Sequence, residues 1–294
     1  MRKILLTGRT GQVGHELERS LQGLGQIIAL DRDKFDLSNL VQVRNVIRDL
    51  KPDVIVNPAA YTGVDKAETE PELAMLVNAE APAMMAAEAK KLGAAMIHYS
   101  TDYVFDGKKI TPYVETDPTS PINVYGMTKL KGEQAIQEAG IPHLILRTSW
   151  VYGTRGKNFL ATIMRLSQER DELRIVVDQF GAPTWSRTIA DTTARIVALL
   201  DCNKGSAIQA SQAWQELSGI YHLTGQGRTS WHGFASAIIE NALMVRKPNV
   251  VPITTQEFPL PAPRPSNSSL DCGRLKIRFG GLPQWEDALR LCQN

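Results

Sequence analysis

KILLTGRTGQVG (3–14) decides the fold. A short apolar run, KILLTG, leads into glycines spaced by three, Gly8, Gly11 and Gly14, and a helix-like stretch, VGHELERSLQGLG (13–25), overlaps the last of them. Continuous apolar runs of this length read as strands buried on both faces. Gly8 permits a sharp turn. Gly11 leaves the backbone open to a pyrophosphate, and Gly14 allows close packing of helix on strand. The helix start then offers free N–H groups and a positive dipole end, with Gln12 and Val13 in its first turn.

Further apolar runs follow: IIALD (27–31), DVIVNPAA (53–60), AAMIHYST (94–101) and HLILRTSWVYG (143–153). Between them lie helix candidates. LVQVRNVIRDLK (40–51) has Ser38 as its predicted cap and stops before Pro52, and PELAMLVNAEAPAMMAAEAKKLG (71–93) reads as one long helix. Strand–helix alternation predicts a doubly wound α/β fold with a parallel sheet. The second half is less regular. LRIVVD (173–178) and IYHLTG (220–225) read as strands, SRTIADTTARIVALLD (186–201) and 230–245 as helices, 203–218 as a surface connection, and the Pro-, Ser- and Thr-rich 251–270 as loop. The expected division is a Rossmann domain over 1–149, with about 173–225 returning to it, and a smaller C-terminal substrate lobe from about 150–172 and 226–294.

The 294 residues suffice for a substantial core, and a net charge of +2 with no basic run argues against a nucleic-acid arm or membrane patch. No apolar stretch approaches the ~18 residues of a membrane span, and KILLTG is too short for a signal peptide. Three cysteines, an odd number without a Cys-x-x-Cys pair, argue against a disulfide framework or a zinc site and for a reducing cytoplasm.

The second strand ends in Asp31, an acid placed to bond adenosine ribose hydroxyls, and Arg32 follows, a cation for a 2′-phosphate. Both NADH and NADPH are therefore open. Tyr125 and Lys129 stand four apart in YGMTK, on one face of a helix. An ordinary phenol is too weak an acid at neutral pH. A lysine ammonium ~5–6 Å away is worth about 2–3 kcal/mol to the phenolate at an effective dielectric of ~20. Such a pair can exchange a proton during hydride transfer. The fourth strand ends in Thr101 and Asp102, where ligands bind in open α/β sheets, so the Thr101 hydroxyl can bond a substrate carbonyl and Asp102 a sugar hydroxyl.

These segments resemble the extended branch of the short-chain dehydrogenase/reductase superfamily. Within it the chain is similar to the dTDP-4-dehydrorhamnose reductase family. The resemblance runs nearly end to end, through GRTGQVGHEL, KPDVIVNPAAYTGVDKAE, HYSTDYVFDG, SPINVYGMTKLKGE, ILRTSWVYG, DQFGAPT, YHLTG and RPSNSSLD. It implies NADPH- or NADH-dependent reduction of the C4 keto group of dTDP-4-dehydro-L-rhamnose, a nucleotide-sugar substrate. Tyr125 is then the proton donor, with Lys129 its partner and a ribose ligand, and Thr101 standing where many relatives carry Ser. Gly11, Gln12, Val13, Asp31, Asp36, Leu37, Ala60, Tyr61, Thr62 and Tyr99 match cofactor positions, and Ala59 belongs to the Ala-rich turn of the third strand. Thr101, Asp102 and Trp150 match substrate positions, and Arg264 is a candidate for the diphosphate. The resemblance also raises a homodimer and, in some members, Mg2+ at a dimer contact. No carboxylate cluster stands out in the sequence as a metal site. Two alternatives stay open: another extended sugar-nucleotide enzyme, such as a 4-epimerase or 4,6-dehydratase, and a non-catalytic NADP-binding regulatory subunit. Tyr103 after Asp102, rather than Glu, counts against a dehydratase.

Overall fold

A strand covered on both sides must be apolar on both faces, because successive side chains leave it in opposite directions. The first strand does this with three residues: Ile4 and Leu6 join one buried cluster, Leu5 the other. The computed structural model describes residues 2–202, 207–244 and 246–294. Its main sheet has six parallel strands, β1 (Lys3–Leu6), β2 (Gln26–Ala29), β3 (Val54–Asn57), β4 (Ala95–Thr101), β5 (His143–Thr148) and β6 (Gly219–His222). They lie in the order β2-β1-β3-β4-β5-β6. The chain steps outward one way from β1 to β2, then the other way from β3 onward. The carboxyl ends of β1 and β3 therefore flank the switch point where open α/β sheets bind ligands.

Helices cover both faces. On one lie α1 (Gln12–Ser20) and the later helix Ser186–Cys202, through Leu17, Ile189, Ile196 and Val197. On the other lie α2 (Leu40–Leu50), α3 (Ala81–Leu92) and α4 (Val124–Ala139), through Val43, Ile47, Met85 and Ile136. The predicted cap of α2 is displaced by one residue. Asn39 accepts from the Gln42 N–H, whereas Ser38 turns to the Asp36 carboxylate.

The predicted helix over 71–93 is three pieces: Pro71–Met75, a π-helical turn Leu76–Glu80, and α3. Pro82 has no N–H to offer the Asn78 carbonyl one turn back, and the Ala81 N–H reaches Leu76 instead. The released Asn78 carbonyl lies where a side chain at Gly132 would begin, 2.1 Å from an added Cβ, so α4 approaches only because position 132 is glycine.

Three expectations for the second half change. Glu172–Val176 pairs with Asn249–Ile253 in a separate parallel sheet, not with the main sheet, so the return begins at Ser186 rather than near 173. That small sheet belongs to a third cluster built from Tyr152, Leu160, Ile163, Leu173, Phe234, Ile238, Trp285 and Leu289. The C-terminal part is not confined to this cluster, because Leu275 and Phe279 of helix Gly273–Phe279 pack into the main core. The surface connection is corrected as well: Ala207–Glu216 is helical and sends buried Trp214 into the main core, while 203–206 of that expectation lie outside the described residues.

Within the expected loop 251–270, the end of the Asn249–Ile253 strand and a single turn at Thr255–Glu257 are regular. The irregular RPSNSSLD segment is firmly tied. Asn267 donates to the carbonyls of Lys109 and Thr111, and the Phe180 backbone bonds Ser266 and Ser268. No helix among the described residues is long and apolar enough to cross a membrane.

Trp214→Ala should cost about 3–5 kcal/mol, the usual range for a buried Trp. A urea-denaturation midpoint equal to that of the parent would remove helix 207–216 from the core.

Candidate active site

At the switch point the backbone comes too close for side chains. Gly8 has φ +57°, and a Cβ there would stand 3.0 Å from the Cβ of Ala59. A Cβ on Gly14 would stand 2.1 Å from the Gly8 carbonyl oxygen. Gly11, at the cap of α1, has no side chain to cover the first amides, so they face an open cleft.

The cleft has a volume of about 780 Å3. Gly8, Gly11, Gln12, Val13, Gly14, Arg32, Asp36, Leu37, Ala59, Ala60, Tyr61, Thr62, Tyr99, Tyr125 and Lys129 all line it. Asp31 is not in that lining. Its carboxylate takes the Lys34 N–H at 3.3 Å within its own turn. Arg32 is 78% exposed and only loosely paired, its Nε 3.6 Å from Asp36.

Tyr125 and Lys129 stand on α4, whose start is fixed from two sides. Asn123 caps the Gly126 N–H at 2.8 Å, and the Glu68 carboxylate takes the Val124 N–H at 2.9 Å. A Cβ on Gly126 would meet the Tyr103 carbonyl at 2.1 Å, so glycine lets the helix press on the turn after β4. There Thr101 faces the Tyr125 phenol. Burial pushes that phenol up to about 12, and the Thr101 hydroxyl acts in the opposite direction.

This departs from the expected lysine-lowered phenol. Lys129 is 2% exposed, and its ammonium is aimed at the Tyr99 carbonyl (2.5 Å) and His98 Nε2 (3.2 Å). Burial lowers Lys129 itself to about 8. At the phenol, desolvation is the leading influence, Asp102 adds to it, and only the Thr101 hydroxyl opposes it.

The proposed substrate residues lie beside the cleft rather than in its lining. Asp102 is buried, and its Oδ1 takes the Thr101 hydroxyl at 3.0 Å. Burial pushes its carboxyl up to about 7 against the pull of the Ser268 and Thr101 hydroxyls. Trp150 holds a left-handed backbone, φ +46°, and its ring stacks on Trp231 at 3.6 Å between centroids. A Cβ on Gly181 would come within 2.5 Å of that ring. The Arg264 guanidinium is already engaged by Asp65 at 2.9 Å and by the Ala262 carbonyl at 2.9 Å.

Several residues that the sequence reading passed over belong here. Ser100 and Thr148 line the cleft with buried hydroxyls that have no hydrogen-bond partner among the described residues. Both stand at carboxyl strand ends, which is the signal that marked Thr101. Lys157 lines the cleft as well, in a loop that Asn158 ties to Gln12 at 2.9 Å. Asn78 clamps both backbone groups of Tyr61 (2.8 and 3.0 Å) and bonds Thr128 on α4. No sequence pattern announces it, because it depends on the π-turn. Among the described residues no three His, Cys, Asp or Glu side chains converge as a metal site.

A parallel doubly wound sheet, a glycine-lined phosphate crevice and a Tyr–Lys helix beside it define the extended short-chain dehydrogenase fold. Solved structures agree: the chain superposes on a UDP-glucose 4-epimerase from Thermus thermophilus with TM-score 0.80 at 19% identity, covering 99% and 97% of the two chains, a likeness of fold alone. The chain belongs to the family described as the RmlD substrate binding domain, whose model matches residues 1–294. It is 50% identical to a dTDP-4-dehydrorhamnose reductase of Burkholderia thailandensis, over 99% of this chain and 97% of that one. It is 45% identical to the reductase of Escherichia coli K12 over the same shares. A dTDP-4-dehydrorhamnose reductase from Bacillus anthracis, solved in complex with NADP, superposes with TM-score 0.90 at 35% identity, covering 99% of each chain.

Asp102 makes stability depend on pH. Its folded value, about 7, lies above the ordinary 3.8, so the folded state holds the proton more tightly. Stability is then greatest at the acid end of that window and falls as pH rises toward 7. Melting temperatures measured across the window should fall for the parent and stay flatter for Asp102→Asn. Parallel curves would show that Asp102 is ionised throughout.

Proposed function

We propose that this chain reduces the C4 keto group of dTDP-4-dehydro-L-rhamnose to give dTDP-L-rhamnose, with NADPH or NADH as the reductant. The observation that carries this reading is the meeting of Tyr125, Lys129 and Thr101 at the carboxyl end of β4, beside a glycine crevice shaped for a dinucleotide. The crevice fits such a cofactor on three counts. Side chains are excluded at Gly8 and Gly14, the amides of α1 are uncovered, and the Ser100 and Thr148 hydroxyls lack partners. The amides of α1 and Lys157 would hold phosphates, Lys129 a ribose, and the Ser100 and Thr148 hydroxyls the amide end. When bound, the cofactor supplies the hydride.

The residues of the chain manage the proton. A phenol pushed up to about 12 stays protonated at neutral pH, and a forming alkoxide is basic enough to take that proton. By turning its one proton from Asp102 Oδ1 to the same oxygen, the Thr101 hydroxyl would orient that oxygen toward Tyr125. The Lys129 ammonium stabilises the phenolate that remains. Trp150, backed by Trp231, offers an aromatic face for the sugar nucleotide. With its fork filled by Asp65, Arg264 serves this reading best by holding the 262–264 segment in place rather than by meeting the diphosphate.

A unit built on the main sheet for the cofactor and a lobe built on the third cluster for the substrate complete the proposal. A 4-epimerase would retain its cofactor through purification, and a regulatory subunit would bind NADP without turnover.

The test is loss of reduced-nicotinamide absorbance on addition of dTDP-4-dehydro-L-rhamnose, with the product identified. No substrate-dependent loss with either cofactor would reject the reading. Tyr125→Phe should lower kcat at least ~100-fold with cofactor binding retained; parent-like turnover would remove Tyr125 from the chemistry. Because Arg32 lines the cleft and Asp31 does not, Arg32→Ala should raise KM for NADPH about tenfold and leave NADH nearly unchanged. Equal changes for both cofactors would mean that Arg32 does not meet a 2′-phosphate.

A further inference from the structure

The start of α1 has a neighbour that belongs to the other lobe. Residues 153–158 join the short strand Val151–Tyr152 to the helix Phe159–Glu169, and Gly156 and Lys157 of this loop line the cleft. The loop lies against Gln12, the first residue of α1. A Cβ on Gly153 would stand 2.6 Å from the Ser186 hydroxyl and 3.9 Å from Gln12 Oε1. Gly156 turns the loop with φ +77°, and a Cβ there would stand 3.5 Å from Gln12 Cγ.

One side chain closes the loop. Asn158 Nδ2 donates to the Gly153 carbonyl at 2.9 Å and to Gln12 Oε1 at 2.9 Å, and the Arg155 carbonyl at 3.3 Å shares one of its hydrogens. Asn158 Oδ1 takes the Ala161 N–H at 2.9 Å and so caps the helix that follows.

These partners fix the direction of two amides. A backbone carbonyl only accepts and a backbone N–H only donates. Gly153, Arg155 and Ala161 therefore decide which end of the Asn158 amide is nitrogen. Because that nitrogen faces Gln12, the Gln12 atom that meets it must be the oxygen. A primary amide carries its oxygen and nitrogen on opposite sides of one carbon, so Gln12 Nε2 is turned away from Asn158 with both of its hydrogens. Gln12 lines the cleft at the point where the first amides of α1 are uncovered. An anion there meets donors from the backbone and from the side chain together.

We propose that Asn158 is a positioning residue for the cofactor: by holding Gln12 Oε1 it keeps the Gln12 N–H groups turned toward the pyrophosphate, beside the amides of α1. This rests on the dinucleotide part of the reductase reading and not on the identity of the sugar. Without the Asn158 donor nothing distinguishes the two ends of the Gln12 amide, and an oxygen turned to a phosphate repels it. The pyrophosphate is common to NADPH and NADH, so Asn158 acts on both cofactors alike, in contrast to Arg32.

The experiment is a double-mutant cycle on the full chain, with Kd for NADPH and for NADH measured by calorimetry in the parent, Asn158→Ser, Gln12→Ala and the double variant. Serine caps the Ala161 N–H as asparagine does, but its hydroxyl sits on Cβ, too short to reach Gln12. Asn158→Ser should weaken both cofactors about tenfold, the effect of losing one hydrogen bond to a charged group. Gln12→Ala should weaken them by a similar factor. The double variant should bind no more weakly than Gln12→Ala alone, because Asn158 then has nothing to orient. In turnover, KM for the cofactor should rise in Asn158→Ser while kcat at saturation stays near that of the parent.

Losses that multiply in the double variant would make Asn158 a merely structural residue of the loop and overturn the proposal. Cofactor binding unchanged in Asn158→Ser, or weakened for NADPH only, would overturn it as well. A parent chain that binds both cofactors and reduces no sugar nucleotide would reject the reductase reading and leave the role of Asn158 to the cycle.

Discussion

A lysine ammonium buried at the end of a parallel sheet is the constraint on which the other features depend. An unpaired buried charge is costly, so Lys129 must find an oxygen within reach. The Tyr99 carbonyl lies one residue past the end of the β3–β4 pairing, which stops at Asn57 and His98, although β4 stays paired with β5 as far as Thr101. His98 is inside because the same strand is buried along its whole length. Bringing α4 near enough requires glycine at 126 and 132, and the second of these meets a carbonyl released by Pro82. Polar residues, a helix irregularity and two glycines thus answer to one charge.

The second constraint is the approach of β1 to β3. Crowding at Gly8, Ala59 and Gly14 excludes side chains where a dinucleotide would need space and leaves backbone amides as the available donors. Segment 61–70 then ties this crevice to its surroundings. Asn78 holds Tyr61, Glu70 takes the Tyr61 hydroxyl at 2.6 Å, Glu68 caps α4, and Asp65 holds Arg264. A movement of the 262–264 segment would be felt at the start of the helix that carries Tyr125.

Much of this was legible in the residue order. The glycine spacing, the strand runs and the Tyr–Lys pair are local patterns, and local patterns survive without knowledge of neighbours. Errors arose where partners distant in sequence decide. Glu172–Val176 looks like a strand of the main sheet, but its partner is Asn249–Ile253. The segment near 207–216 looks polar, yet Trp214 buries its ring against the sheet's cover. Arg264 looks free for a phosphate until Asp65 is found beside it.

The sequence by itself determined the class of fold, the glycine turn after β1 and the placing of Tyr125 and Lys129 on one helix face, because each depends on spacing within one strand–turn–helix unit. Only the tertiary structure decided the charge environment. Whether burial raises a phenol, whether Asp31 or Arg32 faces the cleft, and how deeply Lys129 is buried are set by groups brought together from separate strands. Desolvation and hydrogen-bond direction depend on distance in space, and spacing along the chain does not encode them.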